Sequence, residues 1–274
     1  MNKVCCYWEG KAPPAYLSLC VTTWLDYLRL EDVVIINQSN VQRYIGDVLD
    51  VQSLKMYSFA KQSDIVSALY LNKFGGTFID IDTLMMHKGA EGFLAVPSDV
   101  DQLKLFGNKE KGGMHIGALT TLAGGKLINY WAEELIKRVP TWESDNSWAY
   151  VGNLIIEPYA KKEENRDFLH VIDVNENFVT PELQSIPEGH KTAREKYEEF
   201  WFYPMTPERE EFVNSLSHIG GGTISLHNSW TPGWYAELGV EEILAKDCAL
   251  SHLFRNNAKP ELVSHVEGLL KYGS

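Results

Sequence analysis

The chain has 274 residues, 45% hydrophobic and 23% charged, which suits one large folded domain with its own core. Lys and Arg number 25 against 37 Asp and Glu, a formal net charge of −12, and this excludes a general nucleic-acid binder, which needs a basic face for phosphates. It does not exclude an anionic ligand carried to an acidic site by a metal ion.

Residues 4–8 read as a short buried strand, followed by a Gly/Pro loop from Gly10 to Pro14. A helix is expected from Pro14, because proline suits the first helical turn. Leu17, Cys20, Val21, Trp24, Leu25 and Leu28 recur at spacings of three and four, which predicts an amphipathic helix with one apolar face. Residues 33–36 form a second buried strand, stopped by the turn-forming Asn37-Gln38-Ser39-Asn40. Ser63-Asp64 opens a helix that runs through Lys73 and closes at Gly75-Gly76. Ile65, Val66, Ala68, Leu69 and Leu71 leave it little polar face, so it should be buried. A strand follows over 77–81. Further strands are expected over 103–106, 115–120 and 223–226, with a helix over 126–138. Strands alternating with helices imply an α/β sheet covered on both faces. Residues 161–211 are more polar and read as an insertion shaping an acceptor site, with a helix over 193–203. Residues 240–272 read as two amphipathic helices broken at Pro260. The division expected is a domain over 1–238 and a helical C-terminal extension over 239–274 packed on it.

Cys5, Cys6, Cys20 and Cys248 have neither the spacing of a disulfide framework nor a Cys-x-x-Cys pair for zinc, and read as buried free thiols. The N-terminal apolar run is too short for a signal peptide, and no run of about 18 apolar residues occurs. The expected compartment is the cytoplasm, with peripheral attachment to a membrane left open.

The most informative segment is Phe74-Gly75-Gly76-Thr77-Phe78-Ile79-Asp80-Ile81-Asp82-Thr83-Leu84. Two apart on a strand, Asp80 and Asp82 would face the same side. Two carboxylates at a strand's carboxyl end repel unless a cation or proton intervenes, and in an α/β sheet that end is where ligands bind. A divalent ion shared by carboxylates and diphosphate oxygens would relieve the repulsion. The plainer reading is two solvated aspartates at a strand-to-loop junction. A buried helix and a Gly-Gly break placed directly before them weigh against it.

With Ser63-Asp64-Ile65-Val66 and Leu69-Tyr70 ahead of it, this segment resembles the donor-site signature of glycosyltransferase family 32, which includes many bacterial capsular polysaccharide synthesis enzymes. It is also similar to the same region of the clostridial glucosylating toxins. The start, Cys6-Tyr7-Trp8-Glu9-Gly10-Lys11-Ala12-Pro13-Pro14, resembles the family's opening Trp-x-Gly-Pro strand and loop. Ser225-Leu226-His227-Asn228-Ser229-Trp230 resembles its closing His–Trp segment, so the resemblance spans roughly residues 3–235. One departure stands out: Ser67 occupies the place of a family Arg that helps hold the donor sugar and its phosphate.

The resemblance implies a GT-A glycosyltransferase fold, a Rossmann-like mixed sheet covered by helices, with the Asp-x-Asp motif at its donor site. It implies that Asp82 chelates a metal and that Asp80 contacts the donor ribose and sugar, or the metal through water. His227 ends an apolar strand and can offer a neutral nitrogen as a third ligand; taken alone it reads as a hydrogen-bonded surface or core histidine, and the Asp80/Asp82 signature reverses that. Mixed nitrogen and oxygen ligands favour Mn²⁺, with Mg²⁺ as the alternative. Asp64 reads either as a first-turn acid favoured by the helix dipole or as an acceptor for donor-sugar hydroxyls. Tyr7 and Trp8 would contact the nucleotide base, or serve as core aromatics. Trp230 would close over the diphosphate or simply pack. Gly220-Gly221-Gly222 would let backbone approach a ligand, and Tyr150-Val151-Gly152-Asn153 would lie near the acceptor.

The function expected is retaining transfer of a hexose from a nucleotide sugar, UDP-linked, to a glycan or lipid-linked acceptor in surface polysaccharide synthesis. A lipid-linked acceptor would place the work at the inner face of the plasma membrane. The resemblance names no catalytic carboxylate. Two alternatives stand: a haloacid-dehalogenase-type phosphatase with Asp80 as nucleophile and Asp82 as acid/base, and a non-catalytic sugar-binding relative.

Overall fold

The apolar runs at the start of the chain become neighbouring strands. In the computed structural model, which describes residues 3–10, 12–86, 89–96, 100–108, 113–141, 147, 149–173, 192–216 and 222–272, β1 (Val4–Tyr7) pairs in parallel with β2 (Val33–Ile36) and with β3 (Gly76–Ile79). A second small sheet joins β4 (Thr83–Met85) to β8 (Thr223–Ser225) in antiparallel register, Thr83 opposite Ser225. In the main sheet β3 pairs antiparallel with β6 (Met114–Thr121), β6 antiparallel with β5 (Leu103–Gly107), and β5 in parallel with β7 (Leu169–Asp173). The strand order is β2-β1-β3-β6-β5-β7.

Alternation along β1 splits the core in two. Val4 and Cys6 face the cluster that holds the helix Ala15–Trp24 and the C-terminal helices. Cys5 and Tyr7 face the cluster built with the helices Phe59–Phe74 and Lys126–Arg138. The mixed α/β sheet with helices on both faces is thus as the residue pattern implied, and all four cysteines are free and buried.

Several elements differ from the reading of the sequence. The helix Ala15–Trp24 is not amphipathic: every residue from Tyr16 to Trp24 is buried. It lies between the sheet side and the C-terminal helices, with Trp24 Nε1 donating to Thr83 O (2.7 Å) and Lys259 Nζ meeting Asp26 just beyond its end (2.6 Å). The helix expected from Ser63 begins earlier, at Phe59, so Ser63 and Asp64 are interior rather than terminal. Residues 161–211 are not simply an insertion, because β7 lies within them and forms an edge of the main sheet; residues 174–191 lie outside the described residues. At the C-terminus there are three helices, Val240–Ala245, Ala249–Asn257 and Val263–Tyr272, with an extra break at residues 246–248. Val263, Val266 and Leu270 belong to the same core cluster as Tyr16 and Trp24.

The Gly-Gly break is required by space as well as by turn geometry. Gly75 ends the helix at φ 64°, and Gly76 follows at φ 99°, where a Cβ would stand 2.8 Å from the carbonyl oxygen of Lys3, just before β1. Gly76→Ala is therefore expected to cost about 2–3 kcal/mol, from backbone strain plus a steric clash, read as a fall in the urea midpoint at unchanged slope.

Candidate active site

Strand β3 ends at Ile79, one ladder bond before the acidic pair turns away. Asp80 N–H donates to Gly117 O (2.7 Å), and Thr83 N–H then donates back to Asp80 O (3.1 Å). Asp80 therefore opens, and Asp82 lies within, a turn that hands the chain from the main sheet to β4, rather than both sharing one face of a strand. A turn still brings both carboxylates to one cavity, of about 450 Å³.

The pairing of β4 with β8 brings His227 to this turn. Leu226 N–H donates to Asp82 O (3.0 Å), and Asn228 N–H donates to Asp82 Oδ2 (2.8 Å), so His227 is pinned on both sides to Asp82. Asn228 Oδ1 accepts from the Tyr16 hydroxyl, and His227 N–H donates to Tyr197 Oη (2.9 Å). The His227 ring tilts against Trp230 at 4.5 Å between centroids and meets Tyr197 edge-on at 5.7 Å. Its Nε2 is buried with no hydrogen-bond partner among the described residues. Burial pushes the His227 pKa below its ordinary value, which favours the neutral ring.

The carboxylates are arranged at electrostatic cost. Asp82 is only 8% exposed, and burial raises its pKa to about 6, opposed by the Asn228 N–H bond. Asp80 is held well above the carboxylate range by burial first, then by the charges of Asp82 and Asp64, with Ser63 Oγ donating to Oδ1 at 3.2 Å in the opposite sense. Asp64 is raised to about 7 by burial, with Lys61 pulling the other way. Because the helix begins at Phe59, Asp64 lies beyond the first turn, and the helix-dipole explanation for it falls away. It lines the cavity instead, beneath Gly152, where a Cβ would be 2.9 Å from Asp64 Oδ2.

The other residues separate into cavity and support. Trp8 is half-buried on the wall, while Tyr7 is a buried wall residue whose hydroxyl donates to Gln62 Oε1 (2.5 Å). Trp230 does not line the cavity; it packs behind His227. Ser67 is buried away from it, its hydroxyl donating to Asp64 O (2.8 Å). Asn153 lines the wall, and the Gly222 carbonyl accepts from Met86 N–H (2.7 Å), while Gly220 and Gly221 lie outside the described residues.

Sequence reading missed His115, on β6 opposite the acidic turn. Its Nε2 shares a 3.2 Å hydrogen bond with Ser225 Oγ, and burial with the nearby His227 pushes its pKa down to about 4, so it stands neutral at physiological pH. The available signal was His115-x-Gly117 inside a strand, since a strand glycine often marks close approach of another group. A Cβ at Gly117 would overlap Asp80 Oδ2 and lie 3.0 Å from the His115 ring. Gly117→Ala is expected to push these two groups apart, with a thermal destabilisation of about 1–3 kcal/mol and loss of ligand binding in the cavity, checked by thermal unfolding and titration with a nucleotide sugar.

Among the described residues, no three His, Cys, Asp or Glu side chains are drawn together closely enough to hold a metal ion as they stand. The chemistry of the set suits one nonetheless: two carboxylates whose charges disfavour each other, and a neutral imidazole with an unpartnered buried nitrogen beside them. No helix of the described residues is long and apolar enough to cross a membrane.

Neither a protein-family model nor a curated protein matches the chain. Among solved structures it is similar to the PaToxG glycosyltransferase, at 16% identity over 81% of this chain and 86% of that one, with a TM-score of 0.43. It is also similar to the galactosyltransferase LgtC, solved in complex with donor and acceptor sugar analogues, at 11% identity over 98% of this chain and 95% of that one, with a TM-score of 0.37.

Proposed function

We propose that this chain is a metal-dependent, configuration-retaining glycosyltransferase of the GT-A fold. It moves a hexose from a UDP-sugar to a hydroxyl of a glycan or lipid-linked acceptor in surface polysaccharide synthesis, at the inner membrane face where the acceptor is lipid-linked. The observation that carries this reading is the β4–β8 pairing, which pins the His227 segment to Asp82 beside Asp80. The motif residues from Phe74 to Asp82 and from Ser225 to Trp230, which resemble family 32, support the same reading.

Charge supports it further. The cavity is lined by Glu9, Asp64, Asp80 and Asp82, and by no Lys or Arg among the described residues. A diphosphate enters such a site only with a cation to offset the repulsion. Asp80, Asp82 and His227 would hold that ion. Mn²⁺, or Mg²⁺ in its place, supplies neutralisation of the charge that develops on the diphosphate leaving group. Asp64, partly protonated near neutral pH, accepts or donates a hydrogen bond at the donor sugar. Trp8 offers a ring on the wall for the flat base, and Tyr7 is kept rigid beside it by Gln62. Trp230 and Tyr197 hold the His227 ring from behind and keep water from that side.

The deciding experiment is donor hydrolysis. UDP-glucose and UDP-galactose are incubated with the protein and Mn²⁺, and UDP is measured with and without a chelator. Chelator-sensitive UDP release is the expected result. Phosphate released from sugar phosphates would move the assignment to the phosphatase, and neither activity would leave a sugar-binding relative.

A further inference from the structure

We infer that a second carbohydrate-binding site lies away from the acidic cavity, a pyranose-stacking platform made by Trp234 and Tyr203. These rings are 48% and 52% exposed, and they border a shallow depression of about 470 Å³ shared with Phe202, Lys246 and Asp247. Two large aromatic side chains left this open around one depression form a contiguous apolar patch, and such patches mark contact surfaces.

The platform is rigid. Trp234 is held upright by edge-to-face contacts with Phe202 (6.4 Å, 82°) and Tyr235 (5.6 Å, 84°). Arg209 Nη1 donates to the carbonyls of Tyr203 (3.2 Å) and Pro204 (2.9 Å), and Met205 N–H donates to Asp247 O (3.2 Å). Pro204 also forms a bridge to Cys248. The rings are therefore presented on pinned backbone, so little ordering entropy is lost when a ligand docks.

The chemistry selects a sugar. A pyranose has an apolar C–H face and a rim of hydroxyls. The indole and phenol rings match the face; the Lys246 ammonium lies over the Trp234 ring, 5.7 Å from its centre, and on its flexible stem it swings aside to the hydroxyl rim when a sugar stacks, where the Asp247 carboxylate joins it. An anionic lipid surface is a poor match for a chain of net charge −12 with an aspartate in the patch. Position fits a glycan that extends from the reaction: the helix Ala193–Phe202 carries Tyr197 against His227 and Trp230, and its last residue, Phe202, against Trp234. That this glycan is the acceptor rests on the function proposed above; that the platform binds sugar does not.

The test uses the full chain with its tryptophan indoles labelled by ¹⁵N, and Trp234→Phe to assign the Trp234 resonance. Maltohexaose, cellohexaose and xylohexaose are titrated separately. The expected result is a saturable shift of the Trp234 resonance with at least one of them, weakened about tenfold in Trp234→Ala and less in Tyr203→Ala, a size typical of one aromatic contact. The thermal shift given by UDP-glucose with Mn²⁺ should be unchanged in both variants. No Trp234 shift with any of the three sugars overturns the platform, as does a dimer in sedimentation that Trp234→Ala dissolves. A Trp234 shift without any response to nucleotide sugar supports the platform and removes the transferase reading instead.

Discussion

Asp82→Ala is expected to lower UDP release about a thousandfold, the largest single effect in the molecule, in line with removing a principal electrostatic contact to a developing charge. Two roles meet at this carboxylate. It is a buried carboxylate in an acidic cavity, proposed above to hold a metal ion, and its Oδ2 accepts the Asn228 N–H that anchors the His227 segment. Asp82→Asn separates the roles, because the amide oxygen still accepts from Asn228 while the negative charge is gone. Both variants should lose turnover, and only alanine should release the segment, read as weaker protection of the Asn228 amide in hydrogen exchange. Turnover above a tenth of the parent in either variant would rule out Asp82 as part of a metal seat.

Without divalent ions, the protein is expected to unfold roughly 5 °C lower at pH 7.5 than at pH 5, and Mn²⁺ is expected to restore the difference. Burial holds Asp82 up to about 6 and Asp64 up to about 7, against 3.8 for the free carboxyl, and Asp80 shifts in the same direction. A carboxyl with a raised folded-state pKa binds its proton more tightly when folded. Its stabilising contribution is complete below about pH 4 and is lost as the pH rises through 6 to 7. The −12 surface also repels itself more at higher pH, so the comparison is repeated at high salt, where exposed charge is screened and buried charge is not. The double variant Asp80→Asn, Asp82→Asn should flatten the profile and abolish the Mn²⁺ response. A Mn²⁺ response that survives in it would place the ion elsewhere.

The parts of the fold that were readable from residues alone are those governed by local pattern. Val33–Ile36 and Lys126–Arg138 fall where apolar runs and helical spacing put them, since neighbouring residues suffice to make a strand or a helix face. Helix boundaries failed where a local signal was ambiguous. Ser63-Asp64 has the look of a helix start, yet the helix begins after Ser58, whose carbonyl accepts from Gln62 N–H (2.9 Å), and the buried Gln62 side chain fixes that first turn through Tyr7 and Tyr57. The helix Ala15–Trp24 was misread as one-sided because its second covering, the C-terminal helices, lies over 200 residues away in the chain.

By itself the sequence put two carboxylates together at the end of a buried strand after a Gly-Gly break, and its balance of charge spoke against a general nucleic-acid binder. Only the tertiary structure decided what stands opposite. A three-residue pairing between β4 and β8 places His227 on Asp82, and β6 places His115 beside Asp80. It also turned the strand pair into a turn, since the chain must leave the main sheet at Ile79 to reach β4. Such contacts depend on register between segments that are distant in the chain, for which local hydrophobic pattern carries no information.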